Sequence, residues 1–156
     1  MQTGATNEKE LLAALRQMYE ERLPFNRVLG LEVRRLTPET IAVEFDMKTE
    51  LIGNYVQEAL HGGVISASLD ATGGLLASAS IVPKLIGKSV ETVTDRFARL
   101  GTIDLRVDYL RPGRGQRFTA TGSILRSGRK VAVTRMELAN ENDLLIAVGT
   151  GTYIVG

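Results

Sequence analysis

The sequence predicts an α+β fold in which a curved antiparallel sheet wraps around a central helix, with an added N-terminal helix. Three observations predict it. The stretch Leu60 to Val82 is built of small and apolar residues, with Asp70 its one carboxylate and no Lys or Arg. Segments on both sides of it alternate apolar and polar side chains with the period of a strand. Near the start, Leu11, Leu12, Leu15, Met18 and Tyr19 fall on one helical stripe.

Taken in order, Asn7 is placed to cap that first helix, and Glu10 completes a capping-box pair. Pro24 is expected to stop it, with Phe25 to Leu29 a short turn before Gly30. A hairpin follows. Its strands are Leu31 to Leu36 and the alternating Ile41, Val43, Phe45 and Met47, joined at Thr37-Pro38-Glu39. Thr49 to Leu60 reads as a loop into His61-Gly62-Gly63 and the small-residue helix. Gly73 and Gly74 cost that helix about 1 kcal/mol each relative to Ala. Close approach of a surrounding sheet would offset this; a plain buried helix with less bulk is the alternative.

Between Pro83 and Gly101, Val90, Val93, Phe97 and Leu100 suggest a short inserted amphipathic helix. From Thr102 the period is two again. Ile103, Leu105, Val107 and Tyr109 pattern one strand, Phe118, Ala120 and Ile124 the next, Val131 to Leu138 a third, and Leu144 to Val155 the last. Residues 1–27 are expected to form a helical extension and 28–156 the main domain.

Composition narrows the function. At 156 residues, one domain is expected, and 44% hydrophobic with 24% charged residues supports a core rather than disorder. Nineteen basic against eighteen acidic residues leave +1, giving no electrostatic case for nucleic acid or an anionic membrane. The absence of Cys excludes disulfides, thiolate metal sites and a Cys nucleophile, and a single His excludes multi-histidine metal sites. Met1 to Thr6 lacks a basic-then-apolar pattern, so no secretory signal and a cytoplasmic location are expected. Leu60 to Val82 has bilayer length, but a mid-bilayer Asp70 would cost about 3 kcal/mol, so no membrane span is expected.

His61-Gly62-Gly63 followed by Leu69-Asp70 resembles the signature of hotdog-fold acyl-CoA thioesterases of the PaaI type. The segment from Thr102 through Tyr109-Leu110-Arg111-Pro112 resembles that family's third strand and its exit. The resemblance covers roughly residues 28–156, and the N-terminal helix and the insertion bring the chain nearest the YigI-like bacterial medium- and long-chain group. It implies a hotdog fold, hydrolysis of medium- to long-chain acyl-CoA to free acid and CoA, and a homodimer or homotetramer. It implies no metal or redox cofactor, since coenzyme A is part of the substrate. A non-catalytic acyl-CoA binding or regulatory module on the same fold is the alternative. A hotdog dehydratase would need a catalytic His with an acidic partner, and His61 lies before the helix with no second His.

Thioester hydrolysis needs donors for the carbonyl oxygen and a group that activates water or attacks the carbon. Gly62 and Gly63 open the helix, where amides lack intrahelical acceptors and carry the positive end of the dipole. Asp70 is the candidate general base or nucleophile, and the sequence does not choose between the two. His61 is expected to order the loop through a hydrogen bond and to lie near the substrate. Asn54, seven residues before His61, is either a polarising side chain or a turn residue. Thr102 aligns with a Ser or Thr that in related enzymes holds the water or carboxylate; an ordinary strand-start threonine is the alternative. Arg111 and the turn Arg126-Ser127-Gly128-Arg129-Lys130 are candidates for the coenzyme A phosphates, against solvated turn charge. The 83–101 insertion either roofs the acyl tunnel or packs on the surface.

One geometric expectation needs no resemblance. Gly62 and Asp70, eight residues apart on one helix, are separated by about 12 Å along its axis. They can serve one thioester only from different chains with the two helices antiparallel, which places active sites between subunits.

Overall fold

The computed structural model describes residues 6–156; the expected absence of a signal rests largely on residues outside that range. Helix α1 (Glu8–Gln17) opens with the expected capping box: Glu10 N–H donates to Asn7 Oδ1 (2.9 Å) and Asn7 N–H to Glu10 Oε2 (3.3 Å). The helix ends before Pro24, as expected, but not directly from α1. It runs into one π-helical turn, Met18–Arg22, and Pro24 then begins a second helix, α2 (Pro24–Leu29). Proline's missing N–H is harmless at the first helical position, and Leu23 before it is extended as a pre-proline residue prefers. The expected turn at Phe25 to Leu29 is thus α2, capped by Gly30 in the left-handed region at φ 73°.

Strands β1 (Glu32–Leu36) and β2 (Thr40–Asp46) form the predicted hairpin. The stretch expected as a loop holds instead a small hairpin, β3 (Ile52–Asn54) with β4 (Ala59–Leu60). Helix α3 (Gly62–Ser80) follows, then α4 (Val90–Phe97) and the strands β5 (Gly101–Tyr109), β6 (Arg117–Ser127), β7 (Val131–Asn140) and β8 (Leu145–Ile154). The main sheet is antiparallel throughout, in the order β1-β2-β6-β7-β8-β5. Phe45 and Phe118, paired across β2 and β6, stack with ring centroids 5.3 Å apart.

Helix α3 lies on this sheet with Leu69, Leu76, Ala77 and Ala79 fully buried. It alone among the described residues is long and apolar enough to cross a bilayer, and its apolar side is spent on the sheet. Its buried hydroxyls are satisfied within the helix: Ser68 Oγ donates to Ile65 O (2.9 Å) and Thr72 Oγ1 to Ser68 O (2.7 Å). Gly73 shows why the helix needs so little bulk. A Cβ there would meet the Tyr153 hydroxyl, Thr134 Oγ1 at 2.8 Å and Met136 Cε at 2.9 Å. The wrapped-helix reading holds, at Gly73 specifically. At Gly74 a Cβ would meet only the Tyr153 ring, at an ordinary 3.5 Å.

The segment 1–27 does not stand apart from the sheet domain among the described residues. Leu11, Leu15 and Tyr19 join one core cluster with the strands and α3, and α2 runs through residues 27 and 28.

Candidate active site

Two groups of chemically competent residues form at separate places along α3. At its start, His61 is the N-cap, and its Nδ1 accepts the Gly63 N–H at 2.8 Å. The imidazole therefore orders the helix entry as expected, and it occupies one of the two amides assigned to carbonyl polarisation. Among the described residues, Gly62 N–H donates no hydrogen bond, so it is the amide free to meet a ligand. The Tyr109 hydroxyl donates to Gly62 O (3.2 Å), holding the Gly62–Gly63 peptide from β5. Gly53 of the small hairpin packs on the His61 backbone so closely that a Cβ would stand 2.5 Å from its Cα. Asn54 sits beside it, but its Oδ1 accepts the N–H groups of Val56 (3.1 Å) and Gln57 (3.0 Å). That is the turn role, and it commits the side-chain oxygen locally.

The second group surrounds Asp70, half-buried two turns further on. Thr102 Oγ1 donates to Asp70 Oδ1 at 3.0 Å. The two residues are brought together by β5, whose irregular pairing between Thr102 and Asp104 lies next to the contact. The Tyr153 hydroxyl donates to the Asp70 backbone carbonyl at 3.2 Å. Burial, reinforced by the Asp70 charge, pushes the Tyr153 phenol well above its usual range, so it stays protonated and keeps donating. Tyr19, from the π turn, is buried, and its hydroxyl has no hydrogen-bond partner among the described residues; its neighbour Thr72 donates to Ser68 O. Burial raises the Tyr19 phenol too. Asp70, Thr102, Tyr19 and Tyr153 line a cavity of about 310 Å³ that Met18, Phe97 and Leu100 also wall.

Sequence reasoning missed the tyrosines. The chain has only four, and three of them stand at these two places: Tyr109 at the first, Tyr19 and Tyr153 at the second. Their scarcity was the available signal.

The candidate phosphate ligands are divided between opposite ends of the sheet. Arg111, exposed just past β5, donates from Nη1 to Leu145 O (2.9 Å), on the Gly62 side. The turn Arg126 to Lys130 lies at the other end, beyond β6. Ser127 Oγ bonds Ser80 Oγ (2.9 Å), Gly128 O accepts from Lys84 Nζ (3.0 Å), and Arg129 O from Arg96 Nη2 (3.0 Å). The side chains of Arg126, Arg129 and Lys130 are exposed. No cluster of three or more potential metal ligands occurs among the described residues.

Comparison with known proteins agrees with this architecture. Residues 57–147 match the family model described as thioesterase superfamily. The chain is 47% identical over 148 residues to the medium/long-chain acyl-CoA thioesterase YigI of Escherichia coli, covering 95% of this chain and 96% of that protein. A crystal structure from Shewanella oneidensis, described as related to the thioesterase superfamily, superimposes with a TM-score of 0.92 at 47% identity, covering 98% of this chain and all of that one. One from Syntrophus aciditrophicus gives 0.84 at 46% identity, covering 96% and 99%.

Proposed function

Because the chain belongs to the thioesterase superfamily, we propose that it hydrolyses medium- to long-chain acyl-CoA thioesters to free acid and CoA, at sites shared between two subunits. The observation that carries the substrate class is the 47% identity over 95% of the chain to an enzyme named for that reaction. Asp70 activates the attacking water or itself attacks the thioester carbon. Thr102, bonded to one carboxylate oxygen, leaves the other free and holds the side chain in one rotamer. The Gly62 amide, at the positive end of α3, polarises the carbonyl from the partner chain. His61 positions that amide by capping the next one.

The unshared surfaces support a shared site. Gly63, Ser66, Ala67, Asp70, Ala71 and Gly74 recur at helical spacing on the side of α3 that the sheet does not bury. Strand β5 is a sheet edge with Ile103 and Tyr109 exposed. A second copy packed antiparallel across both surfaces would carry its Gly62 toward this Asp70. Arg111 of one subunit and the Arg126 to Lys130 turn of the other would then approach the same end, where the coenzyme A phosphates require cations. The protein acts without a metal or redox cofactor and resides in the cytoplasm on this reading.

Release of free thiol across acyl-CoA chains from acetyl to palmitoyl tests the proposal. Turnover should be largest for medium and long chains. Asp70→Asn should reduce kcat between about a hundredfold and ten-thousandfold while acyl-CoA still binds. Binding without turnover in the parent protein would favour an acyl-CoA binding module instead.

A further inference from the structure

The cavity at Asp70 is not the only one on this side of the molecule. A second, of about 580 Å³, runs between α1 and α4. Its walls are mostly apolar, Leu11, Ala14 and Leu15 from α1 facing Val90, Val93 and the C-cap Ala98 of α4, with Glu10, Gln17 and Arg22 among the polar residues that also line it. Met18 and Phe97 line both cavities, so the two adjoin at that pair. Val90 is 69% exposed on this groove, although α4 has the spacing of an amphipathic helix. Two helices packed only for stability would be expected to close such a gap, because unfilled apolar space forfeits contacts.

The groove also has an end. Gly87 N–H donates to Thr6 O (2.9 Å), and Thr6 Oγ1 reaches Lys88 O (3.2 Å). These bonds tie the start of α1 to the segment before α4, at the end away from Met18 and Phe97. From Phe97 back to Val90 the groove follows α4 for about 10 Å.

Resting on the thioesterase reading above, we propose that this groove holds the distal part of the acyl chain, with Met18 and Phe97 as the gate that sets which lengths pass. The thioester lies at Asp70, and the proximal methylenes fill the first cavity. A longer chain displaces the Met18 and Phe97 side chains and continues between α1 and α4 toward the Thr6 closure. Methionine suits a gate, having three soft torsions and a polarisable end that adapts to a partial or full occupant. The π turn places Met18 on the groove and Tyr19 on the wall of the Asp70 cavity from consecutive positions. The insertion is then part of the specificity machinery, and α1 forms the facing wall.

The ratio of kcat/KM for palmitoyl-CoA to that for octanoyl-CoA tests this. Ala14→Trp fills the groove from an exposed position on α1, and Ala98→Trp fills it from the exposed C-cap of α4; neither removes a core side chain. Each should lower the ratio by roughly tenfold or more, since each methylene denied burial costs about fourfold. Phe97→Ala should raise it. Movement in these opposite directions supports the gate, and either Trp variant suffices if the other fails to fold. An unmoved ratio with thioester hydrolysis intact overturns the gate and leaves the enzymatic reading standing. No hydrolysis of any chain by the parent protein overturns both.

Discussion

Gly62 is the residue at which carbonyl polarisation can be isolated from everything else. It is the first residue of α3, the one helical position where proline fits, and His61 before it is already extended at φ −62° and ψ 138°. Gly62→Pro therefore removes the one unpaired amide with little demand on the backbone. We expect kcat to fall by about a hundredfold to a thousandfold, with the thermal midpoint nearly unchanged. Gly62→Ala keeps the amide, and its Cβ meets Tyr109 at an ordinary 3.5 Å, so most activity should remain. Full turnover by the proline variant would remove Gly62 from the mechanism. At this scale sequence reading separated the residues unevenly. The capping role of His61 was legible because an N-cap is a local geometry. The engagement of Gly63 by that same imidazole was not, since it depends on the ring's rotamer. Asn54 had two readings in the sequence; the bonds of its Oδ1 to Val56 and Gln57 show the turn role, while a polarising role would use its Nδ2, which they leave out.

Among the elements, α3 concentrates the physical conflict of the fold. Two adjacent glycines look alike in sequence, and the sheet distinguishes them. Gly73→Ala would force a methyl against Tyr153, Thr134 and Met136, and should destabilise the protein by about 1–3 kcal/mol. Gly74→Ala meets no such obstacle within its own chain, so its stability should lie above that of Gly73→Ala. Urea midpoints of the two variants measure the difference; equal effects would mean that close approach of the sheet is not what selects glycine. Elements with strong periodicity were legible, including the short α4. The π turn and the β3–β4 hairpin were not. Pro24 signals a helix end in any local reading, and nothing in residues 18–22 announces an extra residue per turn. The hairpin is closed at its base by His61 N–H on Leu51 O (2.8 Å) and held from outside by Leu60 N–H on Gly113 O (2.9 Å).

On the scale of the whole molecule, the question is whether Asp70 and Gly62 of one catalytic unit come from one chain or two. Mixed dimers answer it. A chain carrying Asp70→Asn paired with a chain carrying Gly62→Pro retains one intact unit if the two groups act across the interface, and none if they act within a chain. Mixing the two inactive proteins under subunit exchange should therefore restore up to about half of the parent activity per mixed dimer, as expected for one of two equivalent sites. No recovery despite confirmed mixed dimers would place the chemistry within a single chain. The apolar edge of β5 and the small-residue side of α3 are the surfaces that such a dimer would cover.

The sequence alone determined that a glycine-rich helix is enclosed by antiparallel strands, and that an acid stands too far along it to reach its own first amides. Both follow from periodicity and rise per residue, which are local properties of the chain. The tertiary structure decided which distant residues share a site: Thr102 bonds Asp70, thirty-two positions away, and Met18 and Phe97 line the same two cavities. Hydrophobic patterning records that a face is buried but not what lies against it, so the tyrosines around Asp70 and the open groove between α1 and α4 emerge only from packing.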